Sequence, residues 1–277
     1  MTNSKKLNVA VTVLMPAYNA EKHLEAAIES ILDQTFKDFE FLVIDDGSKD
    51  KTWKIIQEYA KTDKRIIPIR NDKNLKLAGV FNQGVHLAHG EYIARMDSDD
   101  WSYPTRLEKQ FKFMENNPEV VIVGSSVDIC HENLEKIYTR NYGANDSEIR
   151  KKIFRYSPFC HPAVMVRKNP LQSCGGYNPL LILGEDYDIY FRLGKKGKFA
   201  NLPETLMKLR LHDYSTFRQN LKLVQRNTLY VRLKAVVEYE YKMSFIDKII
   251  FIGQYLTFMI VPQKYLMRLF NCMRNHL

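Results

Sequence analysis

The chain has no glycine-rich phosphate loop. Only 12 of its 277 residues are glycine, no GxGxxG follows the first apolar run and no GxxxxGK[ST] occurs anywhere, so neither a dinucleotide fingerprint nor a P-loop is supported. Its four cysteines, Cys130, Cys160, Cys174 and Cys272, make no CxxC pair. A zinc site or secreted disulfide framework is therefore not expected, and a reducing compartment fits. The start, MTNSKKLNVAVTVLMPAYN, lacks the small-residue cleavage pattern of a secretory signal. The most apolar run, residues 249–261, is 13 residues long, short of the roughly 20 that span a bilayer.

What is present suffices for a substantial core: 277 residues, 45% hydrophobic, form one large domain or one domain plus an extension. The net charge of +9 is unevenly spread. From Asp213 onward ten Lys/Arg stand against four Asp/Glu, so +6 of the +9 lies in the last 65 residues. That asymmetry points to an anionic partner for the tail, or to a solvated basic helix face.

The first half alternates. Residues 9–15 are a β-branched apolar run of the kind found in a buried parallel strand, stopped by Pro16-Ala17-Tyr18-Asn19. Periodicity predicts a helix over 21–34, with Leu24, Ala27, Ile28, Ile31 and Leu32 on one stripe. Residues 39–44 read as a second strand ending in Asp45-Asp46-Gly47-Ser48, and Asp50 or Ser48 can cap the helix that carries Trp53, Ile56 and Tyr59. A third strand over 66–69, a helix over 77–89 and a fourth strand over 92–96 follow, the last ending in Asp97-Ser98-Asp99-Asp100. Such alternation implies right-handed βαβ units and a parallel sheet, in which ligands bind beyond the carboxyl ends of the strands. Those ends are PAYN, DDGS and DSDD.

Three carboxylates within four residues repel one another unless a cation neutralises them. In an extended chain Asp97 and Asp99 would face the same side, and hard oxygen donors favour Mg²⁺ or Mn²⁺ over zinc. The plainer alternative is an acidic turn capping a helix that begins near Pro104. Tyr18, with Asp45 or Asp46, could offer a nucleotide base an aromatic face and a polar edge partner; a packed surface tyrosine is the alternative.

Val13 to Asn19, Val43 to Ser48 and Ala94 to Asp100 together resemble the N-terminal half of a family 2 glycosyltransferase. The resemblance continues through Pro104, Arg106, Leu107 and Gln110, Val123-Gly124-Ser125, His161-Pro162, Gly175-Gly176-Tyr177, Gly184 to Asp188 and Leu209 to His212, and so covers about residues 9–212. It implies the GT-A fold: α/β, Rossmann-like, a mostly parallel sheet flanked by helices. It also implies a metal-dependent, inverting enzyme using nucleotide-diphosphate sugars, with a UDP-sugar the expected donor. Carried over residue by residue, Pro16, Ala17, Tyr18, Asn19, Asp45 and Asp46 would hold the nucleoside. Asp97, Ser98 and Asp99 would form the metal and ribose site, with Asp99 the direct ligand. His212 would complete the metal or diphosphate site. Asp186 would take the proton from an acceptor hydroxyl, with Glu185 shaping the acceptor side; a solvated acidic helix start that includes Asp188 is the alternative. Gly175-Gly176 could admit the donor sugar or simply make a turn. Arg210 could contact phosphate or be a paired surface arginine. The role of His161 stays open. Lys76 stands where relatives commonly have glycine, as a phosphate contact or a solvated loop residue.

The tail loses the strand alternation. Arg218, Lys222 and Arg226 make one basic helical stripe, and 249–261, bounded by Asp247, Lys248, Pro262 and Lys264, suits a helix lying in a membrane interface with Lys264, Arg268 and Arg274 near anionic head groups. Packing onto the catalytic domain or a second subunit is the alternative. These readings give a catalytic domain over 1–212 and a basic, apolar helical extension over 213–277, acting in the cytoplasm on the inner face of the membrane. The expected acceptor is a saccharide or lipid-linked saccharide, in bacterial surface-polysaccharide assembly by resemblance, and no nucleic-acid partner is expected. A sugar-1-phosphate nucleotidylyltransferase would need a glycine-rich basic loop after the first strand, which PAYNAEKH lacks. A non-catalytic nucleotide- or glycan-binding adaptor would have little need of the acids at 97–99 and 185–186.

Overall fold

The computed structural model describes residues 9–211, 220–262 and 265. Its first half is β1 (Val11–Ala17), α1 (Leu24–Leu32), β2 (Phe39–Asp45), α2 (Thr52–Thr62), β3 (Ile66–Arg70), α3 (Lys76–Leu87) and β4 (Tyr92–Arg95). The second half is β5 (Trp101–Ser102), α4 (Arg106–Asn116), β6 (Val120–Cys130), β7 (Lys136–Arg140), α5 (Asp146–Lys152), β8 (Met165–Arg167), α6 (Lys168–Ser173), α7 (Glu185–Leu193), β9 (Lys198–Arg210), α8 (Leu221–Val237) and α9 (Phe245–Ile260).

One sheet runs β3-β2-β1-β4-β8-β6-β9-β5, with β7 paired to β6. The four strands of the alternating first half are parallel, as the alternation predicts. Beyond β4 the sheet is mixed: β8 runs antiparallel to both β4 and β6, whereas β9 returns parallel to β6. Pro16 does not end β1, which continues to Ala17. Pro16 shares the parity of Leu14, whose carbonyl accepts from Met96 across the β4 side, and β4 pairing stops at Leu14–Arg95. The missing N–H therefore points where no strand remains to bond it.

Side chains of β1 and β2 alternate between two apolar layers. Val11, Val13, Met15, Phe41 and Val43 meet Leu24, Ala27, Ile28 and Ile31 of α1 on one face. Leu14, Leu42 and Ile44 meet Ala78, Phe81 and Val85 of α3 on the other. Both faces are covered, which is why these strands read as unbroken apolar runs. Each fully buried Val, Leu or Ile contributes about 1.5–3 kcal/mol. Of the two candidate caps for α2, Asp50 accepts from the Thr52 N–H at 3.0 Å, whereas Ser48 Oγ accepts from the Asn19 N–H at 2.9 Å and so links two loops.

The second layer also contains α7 and α8: Val231 and Ala235 lie in one cluster with Ile189 and Phe191. Polar side chains fasten the two helices. Asn227 Nδ2 donates to the carbonyls of Ile182 and Leu183, Arg232 Nε donates to Tyr187 Oη at 3.1 Å, and Lys234 Nζ stands 3.5 Å from Asp188 Oδ1. Helix α9 is polar inward and apolar outward. A capping box joins Ser244 and Asp247, Asp247 pairs with Arg155 at 2.8 Å, and Gln254 bonds Arg232 and Gln225. Phe245, Ile246, Ile249, Ile252, Leu256, Met259 and Ile260 are exposed. Among the described residues no helix is long and apolar enough to cross a membrane.

Candidate active site

Register brings the strand ends together. Ala17 lies opposite Asp45, and Asp45 opposite Arg70, while the Asp46 N–H donates to Ala17 at 2.8 Å. Pro16 and Ala17 are buried strand residues, and Tyr18 beyond them is 49% exposed. Asn19 takes a left-handed φ of 49° and ties the first loop to the second: its Oδ1 accepts from the Lys49 N–H at 3.0 Å. The two acids that the sequence left interchangeable differ sharply. Asp46 is committed to its own loop, its Oδ1 accepting from Asn71 Nδ2 (3.0 Å) and the Leu75 N–H (2.8 Å), its Oδ2 from the Lys76 N–H (3.1 Å). Asp45 accepts from the Ser48 N–H through Oδ1, and its Oδ2, 3.2 Å from Arg70 Nε, has no hydrogen-bond donor. Asp45 is thus the acid with capacity left for a ligand. Lys76 adopts a φ of 64°, a region glycine enters without penalty.

Asp97-Ser98-Asp99-Asp100 forms a turn rather than an extended strand, so the expected alternation does not operate. The turn nevertheless gathers the acids: one oxygen each of Asp97, Asp99 and Asp100 lies within 4.8 Å of the other two. Burial, then the charges of Asp99 and Asp97, push Asp100 well above the usual carboxylate range. Asp100 is no helix cap. Its Oδ1 accepts from the Arg210 N–H at 3.0 Å, and α4 begins after Thr105 without a side-chain cap. Arg210, read as a phosphate contact or a surface residue, is buried and clamps the turn, its Nε donating to the Asp99 carbonyl at 2.6 Å and its Nη1 to that of Glu132.

Two further arginines lie behind the turn. Arg95 Nη2 reaches Asp97 Oδ1 at 2.9 Å, and the guanidinium lies 4.8 Å above the Phe81 ring. Arg106 is wholly buried, bonded to the Arg95 carbonyl and to Gln110 Oε1, and burial pushes its pKa down to about 10. A clustered all-oxygen donor set is chemically suited to Mg²⁺ or Mn²⁺. His212 lies outside the described residues.

The later acids open α7. Glu185 is buried and accepts from the Gly184 N–H at 3.0 Å. Burial, reinforced by the Glu185 charge, raises Asp186 to about 6. Asp188 corrects the reading of a solvated acidic start: it is fully buried and pairs with Arg192 at 2.5 Å and with Lys234. Gly175 and Gly176 have φ of 87° and 65°, and a Cβ on Gly176 would stand 2.5 Å from Asn82 Oδ1. Gly175 is required by its left-handed φ alone, and Gly176 also by this close approach of Asn82, which brackets the Tyr177 backbone. His161 Nε2 lies 3.0 Å from Tyr177 Oη, and burial, then the Arg95 charge, hold its pKa well below 6.5. It is a neutral member of the floor. Arg70 and Asn71 escaped sequence reasoning, because partners that meet through register carry no local motif. Arg95 had a signal: a charge inside a buried strand.

Comparison with known proteins decides the family. The Glycosyl transferase family 2 profile matches residues 12–175. An uncharacterized glycosyltransferase of Methanocaldococcus jannaschii is 36% identical over 247 residues, 87% of this chain and 83% of that protein. The chain belongs to glycosyl transferase family 2. A second relative in this family, the O-antigen biosynthesis glycosyltransferase WbnJ of Escherichia coli, is 33% identical over 219 residues, covering 76% of this chain and 83% of WbnJ. Solved structures share the fold at low identity. S. aureus TarS 1–349 in complex with UDP-GlcNAc aligns with a TM-score of 0.70 at 18% identity, over 93% of this chain and 78% of that one. The mannosyltransferase PcManGT of Pyrobaculum calidifontis, with GDP-Man and Mn²⁺, aligns with a TM-score of 0.65 at 15% identity, over 91% of this chain and 70% of that one. The fold is thus that of GT-A family enzymes, and the chain is a glycosyltransferase.

Proposed function

We propose that this glycosyltransferase moves a sugar from a UDP-sugar to a hydroxyl of a saccharide or lipid-linked saccharide, with inversion at the anomeric carbon. The observation that carries the reading is the gathering of Asp97, Asp99 and Asp100 within 4.8 Å at the carboxyl edge of the parallel strands. Tyr18 faces the nucleotide base, Asp45 its polar edge, and Pro16, Ala17 and Asn19 frame that loop. Asp99 and Asp97 would hold Mg²⁺ or Mn²⁺, with His212 by family resemblance and Ser98 in the same turn; the ion would neutralise charge on the departing diphosphate. Asp186 takes the acceptor proton as the acceptor oxygen bonds the anomeric carbon and the carbon–diphosphate bond breaks. Glu185 shapes the acceptor side. NMR of the product's anomeric proton tests the outcome: a β-linked product from an α-linked donor is expected, and retention would contradict the reading.

Helices α8 and α9, and WbnJ, whose name places that relative in O-antigen biosynthesis, support a reading of the setting. We infer a cytoplasmic enzyme of surface-polysaccharide assembly, held peripherally on the inner face of the membrane by 213–277. The outward apolar residues of α9, with Lys242 and Lys248 exposed nearby in sequence and Lys222 and Arg226 exposed on α8, support this. Flotation of the full chain with anionic vesicles, lost in Ile249→Glu/Leu256→Glu, is the expected result; equal flotation of both proteins would count against it.

A further inference from the structure

Arg95 is out of place by ordinary rules. It sits in β4 between buried Ala94 and Met96, is itself 5% exposed, and keeps its Nε–H and Nη1–H without hydrogen-bond partners. Buried unpaired donors on a charged group are costly and call for a reason. Local structure fixes its position from several sides. Its backbone N–H donates to Val164 at 2.9 Å, its carbonyl accepts from Arg106 Nη2, and its guanidinium rests on Phe81, which packs against Tyr177 and His161 at centroid distances of 4.9 and 5.4 Å.

From there the side chain faces two acidic centres. Nη2 holds Asp97 Oδ1 at 2.9 Å, while Asp97 remains 30% exposed. The Phe81 ring beneath the guanidinium leads to α7: His161 packs on Phe81 and on Tyr190 at centroid distances of 5.4 and 6.0 Å, and Asp186 and Tyr190 share one face of α7 at i, i+4. The Tyr190 hydroxyl is also buried without a partner. Arg95 acts electrostatically on Tyr190, Tyr177 and Asp186 together. Asp186 also interacts with Glu185, Tyr187 and Tyr190 of α7 itself and with Tyr177. No acid other than Asp97 is hydrogen-bonded to this guanidinium among the described residues.

We propose that Arg95 is a positioning residue of the transfer reaction, fixing the donor-side carboxylate Asp97 and facing the Asp186 end of α7 so that the two acidic centres keep one relative placement. The proposal rests on the glycosyl-transfer reading above. A group kept for structure alone would have its donors paired; this one leaves two unpaired and, among the described residues, makes its one ion pair with a site carboxylate. Replacing it by an apolar side chain of similar reach removes two buried unpaired donors but also takes the cation from Asp97; because Asp97 stays 30% exposed, the two effects should largely offset in the fold while the reaction suffers.

The test compares full-length wild type, Arg95→Met and Arg95→Lys. Three quantities are read: melting temperature without metal, affinity for Mn²⁺ alone by calorimetry, and the pH profile of nucleoside diphosphate release. Arg95→Met is expected to melt close to the wild-type temperature, to bind Mn²⁺ several-fold more weakly and to lose about a hundredfold in kcat. Its acid limb should move to higher pH, since a cation near Asp186 is gone. Arg95→Lys should restore the limb and part of kcat. A large drop in melting temperature with an unmoved limb and unchanged Mn²⁺ affinity would reduce Arg95 to a structural residue and overturn the proposal, as would wild-type kcat in Arg95→Met. If wild type releases no nucleotide from any donor, the transfer reading fails separately, and the Mn²⁺ affinity of Arg95→Met against wild type still decides whether Arg95 sets Asp97.

Discussion

Asp186 holds its proton to about pH 6, against 3.8 for an ordinary aspartate, because burial and the Glu185 charge both disfavour the carboxylate. A base must be deprotonated, so kcat/KM should fall about tenfold per pH unit below that value and level off above it. A flat profile between pH 5 and 7 would remove Asp186 from the role. The same raised pKa bears on stability with the opposite sense: the fold favours the neutral acid, so wild type gains stability as pH falls from about 6 towards 3.8. Asp186→Asn should therefore lose roughly 10²–10⁴ in rate yet melt at or above wild type at pH 7, with that advantage fading towards pH 4. Lys76, with its φ of 64°, offers a quieter test. Lys76→Gly should relieve about 1 kcal/mol of backbone strain, offset by glycine's similar entropic cost, and so leave denaturation midpoints nearly unchanged; a loss of donor affinity would mark the lysine as a ligand contact. The acids at 45–46, 97–100 and 185–186 were all legible as strand-end or helix-start clusters. What each does was not, because Asp46, Asp100 and Asp188 are spent on the Asn71 side chain, the Arg210 N–H and the Lys234 ammonium, partners that arrive from 25 to 110 residues away.

Helices α1 to α3 follow from apolar periodicity because each lies on a sheet with one face out. Helices α8 and α9 break that rule. Arg232 is 1% exposed and donates to Tyr187, Gln254 and the Arg155 carbonyl, so the second layer is fastened partly by charge, and a pattern-based reading treats such a residue as surface. Arg232→Ala would strand these acceptors at about 3 kcal/mol in all, measured as a lower urea midpoint. Because Tyr187 follows Asp186 directly, the same variant should also depress kcat more than KM. An unchanged midpoint would mean that α8 contributes little to holding α7. In α9 the inward Asp247 and Gln254 reverse the usual amphipathic order, and the sequence shows only an apolar run too short to span a bilayer.

At the scale of the whole molecule, the parallel half of the sheet was readable because successive βαβ units place neighbours in space as they occur in sequence. The mixed half was not: β6 pairs with β9 across about 80 residues, and β8 inserts antiparallel between β4 and β6, pairings that no local pattern encodes. Yet that half supplies Arg210, Tyr177 and the α7 acids that close the site around the DSDD turn. The account as a whole stands on that turn serving a nucleotide-sugar donor with a divalent ion. Nucleoside diphosphate release from a panel of UDP-, GDP- and dTDP-sugars with Mn²⁺, for wild type and Asp99→Asn, tests this most directly. The account predicts slow release from a UDP-sugar that EDTA and Asp99→Asn both abolish; release that survives EDTA and the substitution would contradict it.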